Sequence, residues 1–342
     1  MNVQKAIAHA VARQDIQFND MLDIVRAIMS GETSPAQIAG LLVALSMKGE
    51  TIDEVTAAAT VMRELAIHVD VTVTPLIDTC GTGGDAAHSF NISTATAFVV
   101  AAAGGYVAKH GNRAVSGSSG SADVLEQAGA AIELDPVGVA RSIEQTGIGF
   151  MFAPAHHGAT RHAAGPRREL GIRTLFNVLG PLTNPAGAKR QLVGVFDRRW
   201  QKIVIESLAR LGSSRAFVVN ADDGLDEISI GSNTTVAELR DGRIEWFEID
   251  PKSFGISLQP VSSIVARDAA HSLEIIKDVF QNVPGPAHDI VTLNAGAAIY
   301  LCDLCDDLAA GVAIARDCLA DGSANARLEK FVEFTTKYAK QG

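Results

Sequence analysis

Two stretches of the chain carry residue types that could grip phosphate. The first is Asp78-Thr79-Cys80-Gly81-Thr82-Gly83-Gly84-Asp85, with Ser89-Phe90-Asn91-Ile92-Ser93-Thr94 a few residues on. Glycines allow positive φ and let a ligand approach the backbone closely. Amides in such a turn, and at the start of a following helix, favour an anion. A tight turn with no ligand is an equally ordinary reading of a lone glycine loop. The acid, the hydroxyls and the amide side chain that accompany this one favour a phosphate site. The second stretch is Lys109-His110-Gly111-Asn112-Arg113-Ala114-Val115-Ser116-Gly117-Ser118-Ser119-Gly120-Ser121. Isolated serine-glycine runs are usually polar surface loops. This one adjoins Lys109 and Arg113 and is bounded by strand and helix signals, so it could clamp a second phosphate group with amides, hydroxyls and point charges. Two such loops at neighbouring strand ends predict a ligand with two separated phosphate groups.

Three further clusters are weaker. In Asp222-Asp223-Gly224-Leu225-Asp226-Glu227 the acids read as solvated when taken alone; beside a polyphosphate they would bind magnesium (Mg2+), which prefers carboxylates and substrate phosphates. Ser93 could add a hydroxyl to that ion or merely cap its helix. His156-His157 with Arg161, His162, Arg167 and Arg168 lacks the acids or cysteines that would close a zinc set, and reads as a cationic pocket for a carboxylate. Arg167 and Arg168 cannot both face one way. Cys302-Asp303-Leu304-Cys305 is a lone Cys pair in an apolar run and reads as two buried thiols, and Cys80 has no histidine partner that would make it a nucleophile.

The elements that must hold these residues alternate. Short apolar strands are predicted at Leu76–Thr79, Tyr106–Lys109, Ile148–Phe152, Leu192–Phe196 and Ala216–Val219, with helices at Thr94–Ala103, Ala122–Ala128 and Val137–Gln145 between them. That alternation implies βαβ units and a parallel sheet, in which ligands sit beyond the carboxyl ends of the strands. Asp241-Gly242 between two apolar runs signals a hairpin. The first 70 residues read as helices only, two of them opened by the capping signatures Ser34-Pro35-Ala36-Gln37 and Thr51-Ile52-Asp53-Glu54. Pro166 to Pro185 breaks the rhythm and looks like a helical return to that first unit. The tail, including Leu308–Lys340, reads mostly as helix. The fold class is therefore α/β: a small N-terminal helical domain (1–70, completed by about 168–188) plus a larger α/β domain (71–342) with a central, mainly parallel sheet flanked by helices.

Composition is that of a soluble globular protein. The chain has 342 residues, 47% hydrophobic and 20% charged, enough for a sizeable core. A net charge of −10 argues against nucleic acid as a partner. Four cysteines at this length fit reduced thiols in a cytoplasmic protein, and neither an export signal nor a membrane span is expected.

The two loops, the Asn91-Ile92-Ser93-Thr94 step, Gly180-Pro181-Leu182-Thr183-Asn184-Pro185 and Gly224-Leu225-Asp226-Glu227 together resemble anthranilate phosphoribosyltransferase of tryptophan biosynthesis, in the family's order and along the whole chain. The resemblance implies a homodimer with an active site between a helical and an α/β domain, and 5-phosphoribosyl-1-pyrophosphate and anthranilate as substrates. It implies that Gly81, Gly84, Asp85, Ser89, Asn91, Ile92, Ser93 and Thr94 hold the pyrophosphate end with its Mg2+. Lys109, His110, Gly111, Asn112, Arg113, Ala114, Val115, Ser116, Gly117 and Ser121 would hold the ribosyl and phosphate groups. Ser93 would ligate one Mg2+, and Asp226 with Glu227 another. Gly81, Asn112 and Arg167 would contact anthranilate, with His110 and His157 along its path. Gly158 departs from the family, which often has proline there. A pyrimidine nucleoside phosphorylase is the nearest rival, but its loop typically carries Gly-Gly-Thr where this chain has Ser119-Gly120-Ser121.

Overall fold

Capping and amphipathic spacing account for the N-terminal helices in a computed structural model of the chain, which describes residues 1–84, 87–114 and 119–341. They are α1 (Val3–Val11), α2 (Phe18–Met29), α3 (Pro35–Lys48) and α4 (Ile52–Glu64). Ser34 and Gln37 form the expected capping box at α3, with Pro35 in the first turn, and Thr51 and Glu54 form another at α4. Glu54 does more than cap: its buried carboxylate also accepts from Ile16 N (2.9 Å) and Lys48 Nζ (3.1 Å), tying the start of α2 to the α3–α4 turn.

The sheet strands are β1 (Leu76–Gly81), β2 (Tyr106–Gly111), β3 (Ile148–Phe152), β4 (Arg190–Gly194), β5 (Arg215–Ala221), β6 (Thr234–Arg240) and β7 (Arg243–Ile249). Their order is β3-β2-β1-β4-β5-β6-β7. The first five run parallel, and β6 and β7 add an antiparallel hairpin at one edge. Asp241 and Gly242, at φ 51° and 76°, make its two-residue turn, which requires positive φ at both positions. The crossovers are α5 (Ile92–Ala102), α6 (Ser121–Gln127), α7 (Pro136–Thr146), α8 (Ala153–His156), α9 (Arg161–Leu170), α10 (Phe176–Leu182) and α11 (Arg199–Arg210). The tail is α12 (Ala269–Phe280), α13 (Pro286–Leu301), α14 (Leu308–Ala320) and α15 (Ser323–Ala339). The last two replace the single run expected there, because Gly322 turns left-handed (φ 76°) and ends the helix.

Alternation along β5 shows how both faces are covered. Phe217 and Val219 point into a core shared with α5 and α12–α15, whereas Ala216 and Val218 point into a second core with α1–α4 and α9–α11. In the return segment, Leu175, Phe176, Val178 and Leu179 are buried in the same core as Leu41, Leu42 and Val61. No helix among the described residues is long and apolar enough to cross a membrane. Register brings Gly81 opposite Gly194 and Gly111 opposite Phe152, so the two phosphate-type loops leave adjacent strands at the same sheet edge.

Candidate active site at the carboxyl ends of the strands

The glycine turn is built around an acid that arrives from elsewhere. Gly83 and Gly84 take φ values of 68° and 80°, and Gly83 N donates to Asp226 Oδ2 at 2.7 Å. Asp226 reaches this place because two neighbours lack side chains. A Cβ on Gly81 would lie 2.8 Å from the Asp226 carboxyl carbon, and one on Gly194 would overlap the Asp226 carbonyl. Thr82 N bonds Gly194 O (2.9 Å), and Phe196 N bonds Thr82 Oγ1 (3.3 Å), so the turn also leans on the end of β4. Asp226 and Glu227 are each 9% exposed, at the floor of the edge rather than in open solvent. Adjacent carboxylates beside an anion-accepting turn suit Mg2+, which takes one or two carboxylates and completes its shell with phosphate and water. Asp85 lies outside the described residues.

Lys109 is the buried cation of the site. It is 2% exposed, and its Nζ donates to Thr79 O (2.6 Å) and Ser93 Oγ (3.1 Å). Burial pushes its pKa down, against the pull of Asp78, Cys80 and Glu227. Asp78 is fully buried beside it and accepts from Asn184 Nδ2 (2.8 Å) and His110 N (3.3 Å). Asn184 Nδ2 also reaches Ala108 O (2.9 Å). This pairing holds β1 and β2 together just below the loops, and burial raises the Asp78 pKa. The Cys80 thiol is pushed well up by burial and by Asp78, consistent with an inert thiol.

Helix α5 starts earlier than expected. Asn91 is its N-cap, so Ser93 and Thr94 lie in the first turn. Ser93 Oγ faces Lys109, but the Thr94 hydroxyl is buried with no partner and its amide bonds Asn91 O (3.1 Å). Ile92 N likewise bonds Phe90 O (2.7 Å). The helix start therefore offers fewer amides than the pattern promised. Ser89 sits in a β-bridge with Val265. The Asn91 side chain ties the two loops together, accepting from Ser119 Oγ (2.6 Å) and Ser272 Oγ (2.8 Å) and donating to Ser119 O (3.3 Å).

Both ends of the serine loop are held by one residue. Asp123 Oδ2 accepts from Ala114 N (2.9 Å) and Gly120 N (2.8 Å). Gly120 has to be glycine, since a Cβ there would lie 2.5 Å from Ala114 N and Asn112 O. Asn112 O accepts from Ala122 N (3.2 Å) and Ser121 Oγ (3.4 Å). A Cβ on Gly111 would press on the Phe150 ring. Arg113 does not join Lys109: its guanidinium pairs with Glu126 and lies 5.5 Å over Phe152. Val115, Ser116 and Gly117 lie outside the described residues.

The histidines expected to add positive charge around His156-His157 do not carry it. His110 and His157 pack 5.0 Å apart, each with a buried, unpartnered Nε2. Burial, then the neighbouring ring, pushes His110 down to about 3; burial, then His156, pushes His157 to about 4, so both rings are neutral. His156 binds Ile67 O (2.8 Å), and His162 faces Gly31 at the end of α2. Of the arginine pair, Arg168 is exposed, while Arg167 is half-buried over Phe176 at 5.0 Å.

Comparison with known proteins agrees with this geometry. Residues 73–325 match the glycosyl transferase family a/b domain, and residues 4–66 its helical bundle domain. An anthranilate phosphoribosyltransferase of Thioalkalivibrio sulfidiphilus is 57% identical over 98% of this chain and 99% of its own. The chain belongs to the anthranilate phosphoribosyltransferase family. The Methylococcus capsulatus member is 54% identical over 99% of both chains. The crystal structure of the Thermus thermophilus anthranilate phosphoribosyltransferase superposes with a TM-score of 0.91 at 41% identity, covering 97% of this chain and 99% of that one. The Saccharomyces cerevisiae enzyme, at 23% identity and a TM-score of 0.89, shares the fold.

Several contributors to the site stand outside the motifs that carry the resemblance. Asp123 was legible: it stands three residues after Gly120, at capping-box spacing. Ser272 lies 181 residues from Asn91 and gave no local signal. Nor did Arg173, which stacks on Phe196 beside the glycine turn.

Proposed function

We propose that this member of the anthranilate phosphoribosyltransferase family transfers the 5-phosphoribosyl group of 5-phosphoribosyl-1-pyrophosphate to the amine of anthranilate, releasing pyrophosphate. The observation that carries the reading is the Gly83–Asp226 bond, which seats a pair of acids against an anion-accepting turn. In the reaction the C1–oxygen bond breaks ahead of attack, the electron pair leaves with diphosphate, and the carbon passes through an oxocarbenium-like state. The amine of anthranilate is neutral and bonds C1 without prior deprotonation; the acidic ammonium so formed gives its proton to water, so no essential general base is required. The catalytic demand falls on stabilising the leaving charge and holding the two substrates in line.

Bound Mg2+ would supply charge neutralisation at the departing oxygens, with Ser93 holding one ion and Asp226 with Glu227 another. Lys109, fixed between Thr79 O and Ser93 Oγ, presents positive charge to the same place. The glycine turn, with Gly81 and Gly84, lines the pyrophosphate end. The serine loop, with Asn112 and Ser121, serves the ribose phosphate. Arg167, aimed by its Phe176 contact, takes the anthranilate carboxylate, and the neutral His110–His157 pair borders the path of the aromatic ring. The division into a 1–70 helical domain, completed by about 168–188, and a 71–342 α/β domain belongs to this reading, supported by the shared burial of Phe176 and Leu179 with α2–α4. A cytoplasmic homodimer, without nucleic acid or membrane, completes it. Anthranilate fluorescence should fall only when both phosphoribosyl pyrophosphate and Mg2+ are present, with pyrophosphate appearing in step. Loss of fluorescence without the sugar donor, or none with it, refutes the assignment. Arg167→Ala should raise the anthranilate KM roughly tenfold with a smaller change in kcat.

A further inference from the structure

We infer that Arg173 is a diphosphate-binding residue, delivered to the glycine turn by the link between α9 and α10. Its guanidinium lies 3.8 Å over the Phe196 ring, the shortest cation–ring distance among the described residues. It also touches the turn itself: a Cβ on Gly84 would lie 2.7 Å from Arg173 Cζ and 3.1 Å from its Nε. The bare α-carbon of Gly84 is what lets the guanidinium lie there.

Platform and turn form one unit. Phe196 N bonds Thr82 Oγ1, Thr82 N bonds Gly194 O, and Gly83 N bonds Asp226 Oδ2. Arg173 is therefore positioned against the segment that faces the departing diphosphate. Stacking engages the face of a guanidinium and leaves its N–H groups in the plane, where they match phosphate oxygens two at a time. The residue stands on an exposed segment, where a charge-aromatic contact alone contributes little. That is enough to bias a rotamer and too little to make the stack the whole reason for an arginine.

Arg173 thus reaches the glycine turn itself, and Lys109 reaches the residues on either side of it, Thr79 and Ser93, from a different part of the chain. Lys109 comes from β2, within the sheet. Arg173 comes from a segment flanked by α9, which carries Arg167, and α10, whose Gly180 O meets His110 Nδ1 at 3.3 Å. A diphosphate held by both would tie the sheet to the helical return that serves the second substrate.

This inference rests on the proposed reaction, and the experiment separates the two. Mg2+-pyrophosphate binding is measured by calorimetry for the wild-type chain, Arg173→Gln and Arg173→Lys, with steady-state constants for both substrates. Arg173→Gln keeps a planar group over Phe196 and loses the charge. It should weaken pyrophosphate binding roughly 10-fold or more and raise the phosphoribosyl pyrophosphate KM in parallel. The anthranilate KM should stay within about twofold, as should the midpoint of thermal unfolding within a degree or two. Arg173→Lys should recover part of the loss, since it restores charge without the fork. Pyrophosphate affinity unchanged in folded Arg173→Gln overturns the inference while the reaction stands. A uniform rise in both KM values, or a loss confined to thermal stability, overturns it in favour of a structural staple. A wild-type chain that neither binds nor releases pyrophosphate removes the reaction and the inference together.

Discussion

The two ends of the sheet treat charge in opposite ways. At the amino ends of β4 and β5, arginines are spent on the protein. Arg190 bonds Leu301 O (2.6 Å) and pairs with Asp303, and Arg215 bonds Tyr300 O (3.0 Å), pairs with Asp303 and lies 4.3 Å over the Tyr300 ring. Glu238 is 3.6 Å from the same guanidinium. At the carboxyl ends, Lys109 is buried against a carbonyl and a hydroxyl, acids are packed against glycines, and two imidazoles keep unpartnered nitrogens. The first arrangement closes the fold around the end of α13. Arg215 too keeps a buried Nε without a hydrogen bond, so unsatisfied burial does not separate the ends. What sets the second apart is a buried lysine and two neutral imidazoles with shifted pKa values, gathered with two acids at the mouth of the strands, a grouping that marks a functional site.

If that contrast is right, substitutions at the two ends should separate activity from stability. The largest effect is expected at Asp226. Asp226→Asn should lower kcat on the order of 100-fold or more with little change in thermal midpoint, read by the fluorescence assay and by calorimetric melting. Arg215→Met should do the reverse: stability should fall by about 2 kcal/mol in urea titration, while activity per folded molecule stays near wild type. Equal losses of activity in both variants would erase the distinction. Asp123→Ala should sit between them, raising the phosphoribosyl pyrophosphate KM several-fold, because Ala114 N and Gly120 N lose the acceptor that holds the serine loop closed.

The last expectation is a pH dependence of folding. His110 and His157 titrate at about 3 and about 4 in the folded chain, below the ordinary 6.5, because burial penalises their charged forms. The unfolded chain therefore binds more protons below pH 6.5. Their contribution to stability is complete above that pH and is lost as pH falls towards 4 and then 3. His157→Phe should flatten the unfolding free energy between pH 6.5 and 4. An unchanged slope would mean that the ring is protonated in place.

Much of this was readable in the chain itself, for local reasons. The capping boxes at Ser34 and Thr51, the Asp-Gly hairpin and the strand–helix alternation are short-range signals, and each appears where its spacing placed it. Ser93 and Lys109 were legible as members of the two glycine-rich stretches, whereas Asp226 read as solvated by itself and was put beside them only by the family resemblance. Other parts depend on distant partners. Nothing near Arg113 says that Glu126 will claim it, and nothing near Asn91 points to Ser272. The histidines were misread as cationic because burial, which sets their charge, is a property of the packed core. Arg173 stayed hidden because its significance lies in a ring and a glycine contributed by two other segments.

The overlap between Gly194 and the backbone of Asp226 has a practical consequence for anyone remodelling this enzyme. In a saturation library, Gly194 should score as intolerant as any substrate contact although its own atoms need touch no ligand, because even alanine would evict the acid-bearing segment. Tolerance maps of this edge will therefore record where the chain crosses itself at close quarters as well as where the chemistry happens. Engineering a new acceptor specificity is better begun on the Arg167 side, where the backbone is less crowded.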